Sequence, residues 1–263
     1  MNPITDPCRP DFPTRAATPT AHRDLESHGF FLTPLLQPGS DVLDAGCGLA
    51  TITTGIAERV FPARVTAMDP SPARLETARR LVEGREIMNI NFAAASASHL
   101  PFADHSFDVV FAHAVLETLA DPARALREFH RVTRPGGFLA VACADWDHCV
   151  LEPASARVNS ALQACRYLDG NRNGLFQAPT GLRPAITEAG FTPLMQDTWI
   201  ERHDAPKDIL SGLTAGLEHA GQFHHATSLR NWADQPGARF HHAWRYATAV
   251  RADGFRPLRR VVE

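Results

Sequence analysis

The sequence predicts a doubly wound α/β protein: a mostly parallel sheet of seven strands, helices on both faces, and a helical insertion late in the chain. Three observations lead there. Short apolar runs alternate with amphipathic stretches from residue 41 to residue 144. The runs are apolar at consecutive positions, as in strands covered on both faces rather than on one. Past Asp145 the alternation loosens and helical patterns dominate before two further strand candidates.

The elements follow in order. Pro3, Pro7, Pro10, Pro13 and Pro19 defeat helix and ladder alike, so residues 1–20 read as an arm. Leu25, Phe30, Phe31, Leu35 and Leu36 recur at loose helical spacing over residues 22–36. Strands are expected at Asp41–Ala45, Arg64–Met68, Ile90–Ala94, Phe107–Ala112 and Phe138–Ala144. Between them lie helices over residues 49–59, from Pro72 with Leu75, Ala78, Leu81 and Val82 on one face, and from Pro122 with Ala125, Leu126, Phe129 and Val132 inward. Later come helices near 153–168 and 180–189, separated by a Gly/Asn break at 170–174, then a strand over Phe191–Ile200. Helices near 206–220 and 226–233 precede a last strand over Phe240–Arg251. The organisation expected is an arm (1–20), an α/β core (21–145), covering helices with one late strand (146–239) and a final strand and tail completing the sheet (240–263).

Composition bounds the partners. The chain has 263 residues, 44% hydrophobic, with 26 Lys+Arg against 29 Asp+Glu and a formal net charge of −3. That excludes a disordered chain, a disulfide-stapled mini-protein and a fibrous repeat. The balanced charge argues against nucleic acid and favours a small-molecule partner. Cys8, Cys47, Cys143, Cys149 and Cys165 form no CxxC pair and read as reduced packing residues. The N-terminus lacks a signal pattern, and no apolar run approaches the roughly 20 residues of a membrane helix. A cytoplasmic, membrane-free protein is expected, and a homodimer is compatible with the sequence.

The chemistry concentrates in Val42-Leu43-Asp44-Ala45-Gly46-Cys47-Gly48-Leu49-Ala50, a strand entering a Gly-rich turn and then a helix. Glycine permits the sharp turn and close approach of a ligand, and the helix N-terminus favours negative charge. Asp69 closes the second strand, where a carboxylate accepts bonds from both ribose hydroxyls. The two describe an adenosine-type cofactor site. A dinucleotide fingerprint wants Gly or Ala where this chain has Thr51, which disfavours a nicotinamide-dependent oxidoreductase and suits a ligand without pyrophosphate.

From about Phe30 to Ala144 the chain resembles the class I S-adenosylmethionine-dependent methyltransferases, in the branch similar to ubiquinone/menaquinone-biosynthesis methyltransferases. The resemblance rests on VLDAGCGLATIT (42–53), AMDPS (67–71), LPFADHSFDVVFAHAVLETL (100–119), DPARALREFHRVTRPGG (121–137) and EAGF (188–191). It implies the Rossmann-like methyltransferase fold, S-adenosylmethionine as cofactor with S-adenosylhomocysteine as product, and a small-molecule O, N or C acceptor. By position, Gly46, Cys47 and Gly48 would line the methionine moiety and Asp44 would orient its amino group. Asp69, followed by Pro70, would hold the ribose. Ser96 stands where the family usually has an adenine-binding Asp, with Ala97 beside it. His113 ends the fourth strand next to the sulfonium.

In-line displacement at an activated methyl asks mainly for a nucleophile held at roughly 3 Å, with a base helping an acidic acceptor. His113 and Asp145 are the candidate bases, with His148 nearby. Trp146 and Arg183 are candidate substrate contacts, and Trp199, Trp232 and Trp244 could join an aromatic pocket. Blander assignments exist: a helix cap for Asp69, a structural role for His113, core packing for the tryptophans and solvation for Arg183. His219, His224, His225, His241 and His242 match no HExxH spacing, so no metal is expected. A family member that binds the cofactor without methylating stays open because of Ala50 and Ser96.

Overall fold

The computed structural model describes residues 22–85, 87–170, 181–204 and 206–253. The expected arm, Cys8, most of the 170–174 break and the tail beyond residue 253 lie outside the described residues.

The segment expected to be one helix over 22–36 is two short turns. α1 (Leu25–His28) opens with a reciprocal cap, Ser27 N donating to Asp24 Oδ1 at 2.7 Å and Asp24 N to Ser27 Oγ at 3.2 Å. It stops at Gly29, where a Cβ would sit 2.7 Å from Leu25 Cδ1. A 3-10 turn follows at Thr33–Leu35, with Pro34 in its first turn, where the missing N–H costs no bond.

The next elements alternate as the pattern requires: β1 (Val42–Ala45), α2 (Thr51–Val60), β2 (Val65–Asp69), α3 (Pro72–Glu83), β3 (Ile90–Ala94), β4 (Phe107–His113), α4 (Pro122–Val132) and β5 (Thr133–Ala144). Asp121 caps α4 by accepting from Arg124 N at 2.8 Å, and Ser71 caps α3 by accepting from Arg74 N at 3.3 Å. In α3, Leu75, Ala78 and Val82 are buried as expected, whereas Leu81 is exposed. After these come β6 (Val150–Glu152), α5 (Ala156–Gly170), α6 (Leu182–Glu188), β7 (Thr192–His203), α7 (Lys207–His219), α8 (Phe223–Ala233) and β8 (Arg239–Val250).

Strands β3-β2-β1-β4-β5 are parallel in that spatial order. β8 runs antiparallel to β5, from Phe138↔Val250 to Ala144↔Trp244, and β7 covers its other edge from Thr192↔Val250 to His203↔Phe240. Among the described residues the sheet has eight strands rather than the expected seven. The extra one, β6, pairs Leu151 with Phe240 on the same edge of β8 as β5 and so prolongs the β5 row. Three residues are too short a run to show an alternation in sequence. β5 also starts earlier than expected, at Thr133, with a register irregularity opposite Phe107 and Val109 before the regular ladder at Phe138.

Both faces are covered. On one, Val110, Ala112, Leu139 and Val141 pack against α4 and α6. On the other, Val109, Phe111, Ala140 and Ala142 pack against α2 and the 22–36 segment. A third buried cluster joins α5, α7 and α8 to Ala144, Leu151, Phe240 and Trp244, beyond the carboxyl end of β5. Cys143, Cys149 and Cys165 are buried and form no disulfide among the described residues. Among the described residues, no helix is long and apolar enough to cross a membrane.

Candidate active site

Parallel sheets leave a crevice at the carboxyl ends of their strands, and the sequence-predicted residues Asp44, Asp69, Ser96 and His113 fall there, at the ends of β1, β2, β3 and β4. The turn after β1 is built from left-handed residues, Gly46 at φ +91°, Gly48 at +57° and Ala50 at +60°. A Cβ on Gly46 would collide with Val115, so the turn lies flat against the segment after β4. Among the described residues, no atom other than those of Gly48 and its chain neighbours comes within 4 Å of where a Cβ on Gly48 would lie, so this stretch of backbone borders open space. Gly46 N and Cys47 N both donate to Met68 O, at 2.6 and 2.8 Å, which fixes the turn to the end of β2.

Two buried carboxylates flank this turn. Asp44 accepts from Thr53 Oγ1 at 2.6 Å, and burial pushes it up to about 7 against the opposing effect of that bond. Burial, with the Asp44 and Asp69 charges beside it, pushes the Cys47 thiol up. Asp69 accepts from Ser71 N at 2.9 Å, Gly48 N at 3.3 Å and Arg74 Nη1 at 2.9 Å. It therefore combines the helix-adjacent role with a link to the glycine turn. Pro70 is exposed beside it. Ser96 accepts from Ser98 N at 3.3 Å, closing its own turn, and Ala97 is buried against Met68 and Leu100 in the core.

His113 is buried, its ring centroid 4.6 Å from Trp244 and 5.4 Å from His28, with no hydrogen-bond partner at Nδ1 among the described residues. Burial, then the Arg23, His28 and His242 charges, pushes it well below the usual imidazole range. Asp145 Oδ2 accepts from Arg245 Nη2 at 2.8 Å and Thr198 Oγ1 at 3.2 Å, and His148 Nδ1 lies 3.0 Å away. Trp146 is buried among the helices of the third cluster, 5.9 Å from the His242 ring. Arg183 is exposed on α6, which packs on the α4 face, whereas the His113 ring meets residues of the α2 face. The structure does not bring Arg183 to the other site residues.

Sequence reasoning missed three groups. Arg74 holds Asp69 from the first turn of α3, and Thr53 holds Asp44 from α2; both were legible as polar residues on helices that begin at the site. His28 meets Glu201 Oε2 through Nε2 at 3.3 Å and Trp199 at 5.0 Å between ring centroids, a contact that only the fold of the 22–36 segment creates. Burial alone would raise Glu201, but bonds from His203, His28 and Trp244 hold its carboxyl well below the usual range.

Comparison with known proteins agrees with this geometry. The sequence pattern of a methyltransferase domain matches residues 43–141. An uncharacterized methyltransferase of Schizosaccharomyces pombe is 34% identical over 155 residues, 53% of this chain and 56% of that protein. The demethylmenaquinone methyltransferase of Listeria welshimeri is 38% identical over 111 residues, 42% of this chain and 46% of that one. The chain thus spans about half the length of the curated relatives it matches. A solved Bacillus halodurans protein superposes with a TM-score of 0.63 at 17% identity, covering 85% of this chain and 97% of its own. Phosphoethanolamine N-methyltransferase 2 of Haemonchus contortus, solved with phosphomonomethylethanolamine and S-adenosylhomocysteine, gives 0.54 at 18%, covering 84% and 51%. The domain match runs from the strand before the glycine turn to the strand beyond His113, so residues 43–141 carry the sequence pattern of a methyltransferase domain.

Proposed function

We propose that this protein transfers the methyl group of S-adenosylmethionine to a small-molecule acceptor by in-line displacement. One observation carries the reading: the glycine turn and Asp69 are joined by the Gly48 N to Asp69 Oδ2 bond at 3.3 Å, at adjacent strand ends of one crevice. The open space at Gly48 fits a ligand lying along the turn, and the names of the relatives support the same cofactor. The cofactor supplies an activated methyl carbon, so the chain's own work is positioning and exclusion of water. Asp69 would accept from the ribose hydroxyls, and Asp44 would face the methionine amino group. Gly46, Cys47 and Gly48 would line the methionine moiety, with Pro70 flanking the ribose and Ser96 and Ala97 bordering the adenine. His113, kept neutral by burial, has its Nδ1 lone pair or proton uncommitted and is the base for an acidic acceptor. Asp145, bonded to Arg245 and Thr198, would hold its end of β5 rather than shuttle protons. Residues 146–239 would shape the acceptor pocket, Trp146 among them.

Calorimetric titration with S-adenosylhomocysteine tests this. Asp69→Ala is expected to weaken binding by about 1.5–3 kcal/mol, the worth of hydrogen bonds to a charged group. An unchanged dissociation constant, or no binding by the unaltered chain, overturns the proposal. Mass spectrometry of an extract incubated with deuteromethyl-labelled cofactor identifies the acceptor.

A further inference from the structure

Three ligand-type side chains meet on one face of the β7–β8 ladder, away from the glycine turn. Along a strand, residues i and i+2 point to the same face, which places Glu201 and His203 of β7 together. Glu201 is the cross-strand partner of His242, and His203 is the partner of Phe240, two residues from His242 on the same face. One ligand atom from each of Glu201, His203 and His242 lies within 4.8 Å of the others. The distance from His203 Nε2 to Glu201 Oε2, 3.4 Å, is already about the ligand-to-ligand separation around a four-coordinate zinc ion.

We propose that Glu201, His203 and His242 form a binding site for one divalent transition-metal ion of the zinc class. Two imidazoles and a carboxylate are the donors that such ions prefer over magnesium or calcium, and three protein ligands leave a further position for water or a ligand oxygen. The surroundings orient the donors. The His242 ring lies nearly parallel to Phe240 at 5.3 Å and 4.3 Å from Trp244, while Trp244 Nε1 donates to Glu201 Oε2 at 3.1 Å. Hydrogen bonds of that kind to a ligating carboxylate fix its orientation. His28, bonded at Nδ1 to Ser27 Oγ at 2.9 Å, approaches Glu201 Oε2 from outside the trio. An ion there would take the place of the direct His203 Nε2 to Glu201 Oε2 contact at 3.4 Å. Glu201 and His203 are partly exposed, which gives an ion a way in, whereas His242 is buried. None of its ligands belongs to the glycine turn or to Asp69, although Trp244 touches both His242 and the proposed base His113.

The test uses the untagged full chain, stripped with a chelator and without cofactor, titrated with Zn2+ against a chromogenic competitor. One equivalent is expected to bind, and His203→Ala is expected to weaken it by roughly 100-fold or more. His241→Ala, whose side chain meets Glu152 at 3.3 Å instead, leaves binding intact. Because altering this ladder carries a folding risk, the unaltered chain is also loaded with Co2+. Visible absorption of a low-symmetry nitrogen and oxygen site supports the proposal. The weak spectrum of the aqueous ion, the absence of an equivalent of tight Zn2+, or binding unchanged in His203→Ala overturns it.

Discussion

Arg74 Nη1 reaches back from the first turn of α3 to Asp69 Oδ2 at 2.9 Å, so the carboxylate at the end of β2 holds a cation from its own chain. The Arg74 side chain is partly exposed and Asp69 is buried, so the arginine is the partner that can move. Arg74→Ala should therefore change the affinity for S-adenosylhomocysteine less than Asp69→Ala does. A larger loss in the arginine variant would make Arg74 itself a cofactor contact. Parallel titrations of the two variants decide between these.

Asp44 carries a pH signature. Its folded value of about 7 lies above the ordinary 3.8, so the folded state binds the proton more tightly than the unfolded one. Its contribution to stability is fully present below about 4 and is lost as pH rises through 7, a loss on the order of 4 kcal/mol. Asp44→Asn should remove that slope in denaturant titrations across this window. If Asp44 faces the cofactor's ammonium, affinity should rise with pH up to about 7 in the unaltered chain and not in the variant.

His113 acts with the opposite sign. Its folded value is depressed, so stability is retained above about 6.5 and falls as the pH drops below that, where the unfolded chain takes up the proton. His113→Gln should flatten the acid limb of the stability curve. As the base in turnover, His113 would also give an activity profile without an inflection near the ordinary imidazole value. An inflection there that persists in His113→Gln assigns it to another group.

Arg245 and Asp145 form a largely buried pair, with Asp145 the more enclosed partner. Removing one member of such a pair leaves an uncompensated charge, so Arg245→Ala should cost about 3–5 kcal/mol. Arg245→Ala with Asp145→Asn should recover part of that in urea unfolding. With Asp145→Asn measured alone as well, a double-variant cost equal to the sum of the two singles would show that the pair is not coupled.

The site's first half was legible because local signals coincide with it. Gly46 and Gly48 mark a turn that needs positive φ, Asp69 precedes the Ser71-Pro72 helix start, and the strands flanking them are continuous apolar runs. The helices α3 and α4 were legible for the same reason, their caps and Pro at N1 being local. What depended on register was not. Glu201 and His242 are 41 positions apart and become neighbours only through the β7–β8 pairing, so spacing rules for histidines could not group them. The break in the 22–36 segment likewise comes from Gly29 packing against Leu25 and Ile52, a close approach that loose helical periodicity conceals.

β6 joins the start of the helical cluster to β8 through Val150↔His241, Leu151↔Phe240 and Glu152↔Arg239, on the very strand that carries His242 and Trp244. The canopy of α5, α7 and α8 is thus stitched to the sheet at its root. Swinging it aside as one piece would tear main-chain bonds.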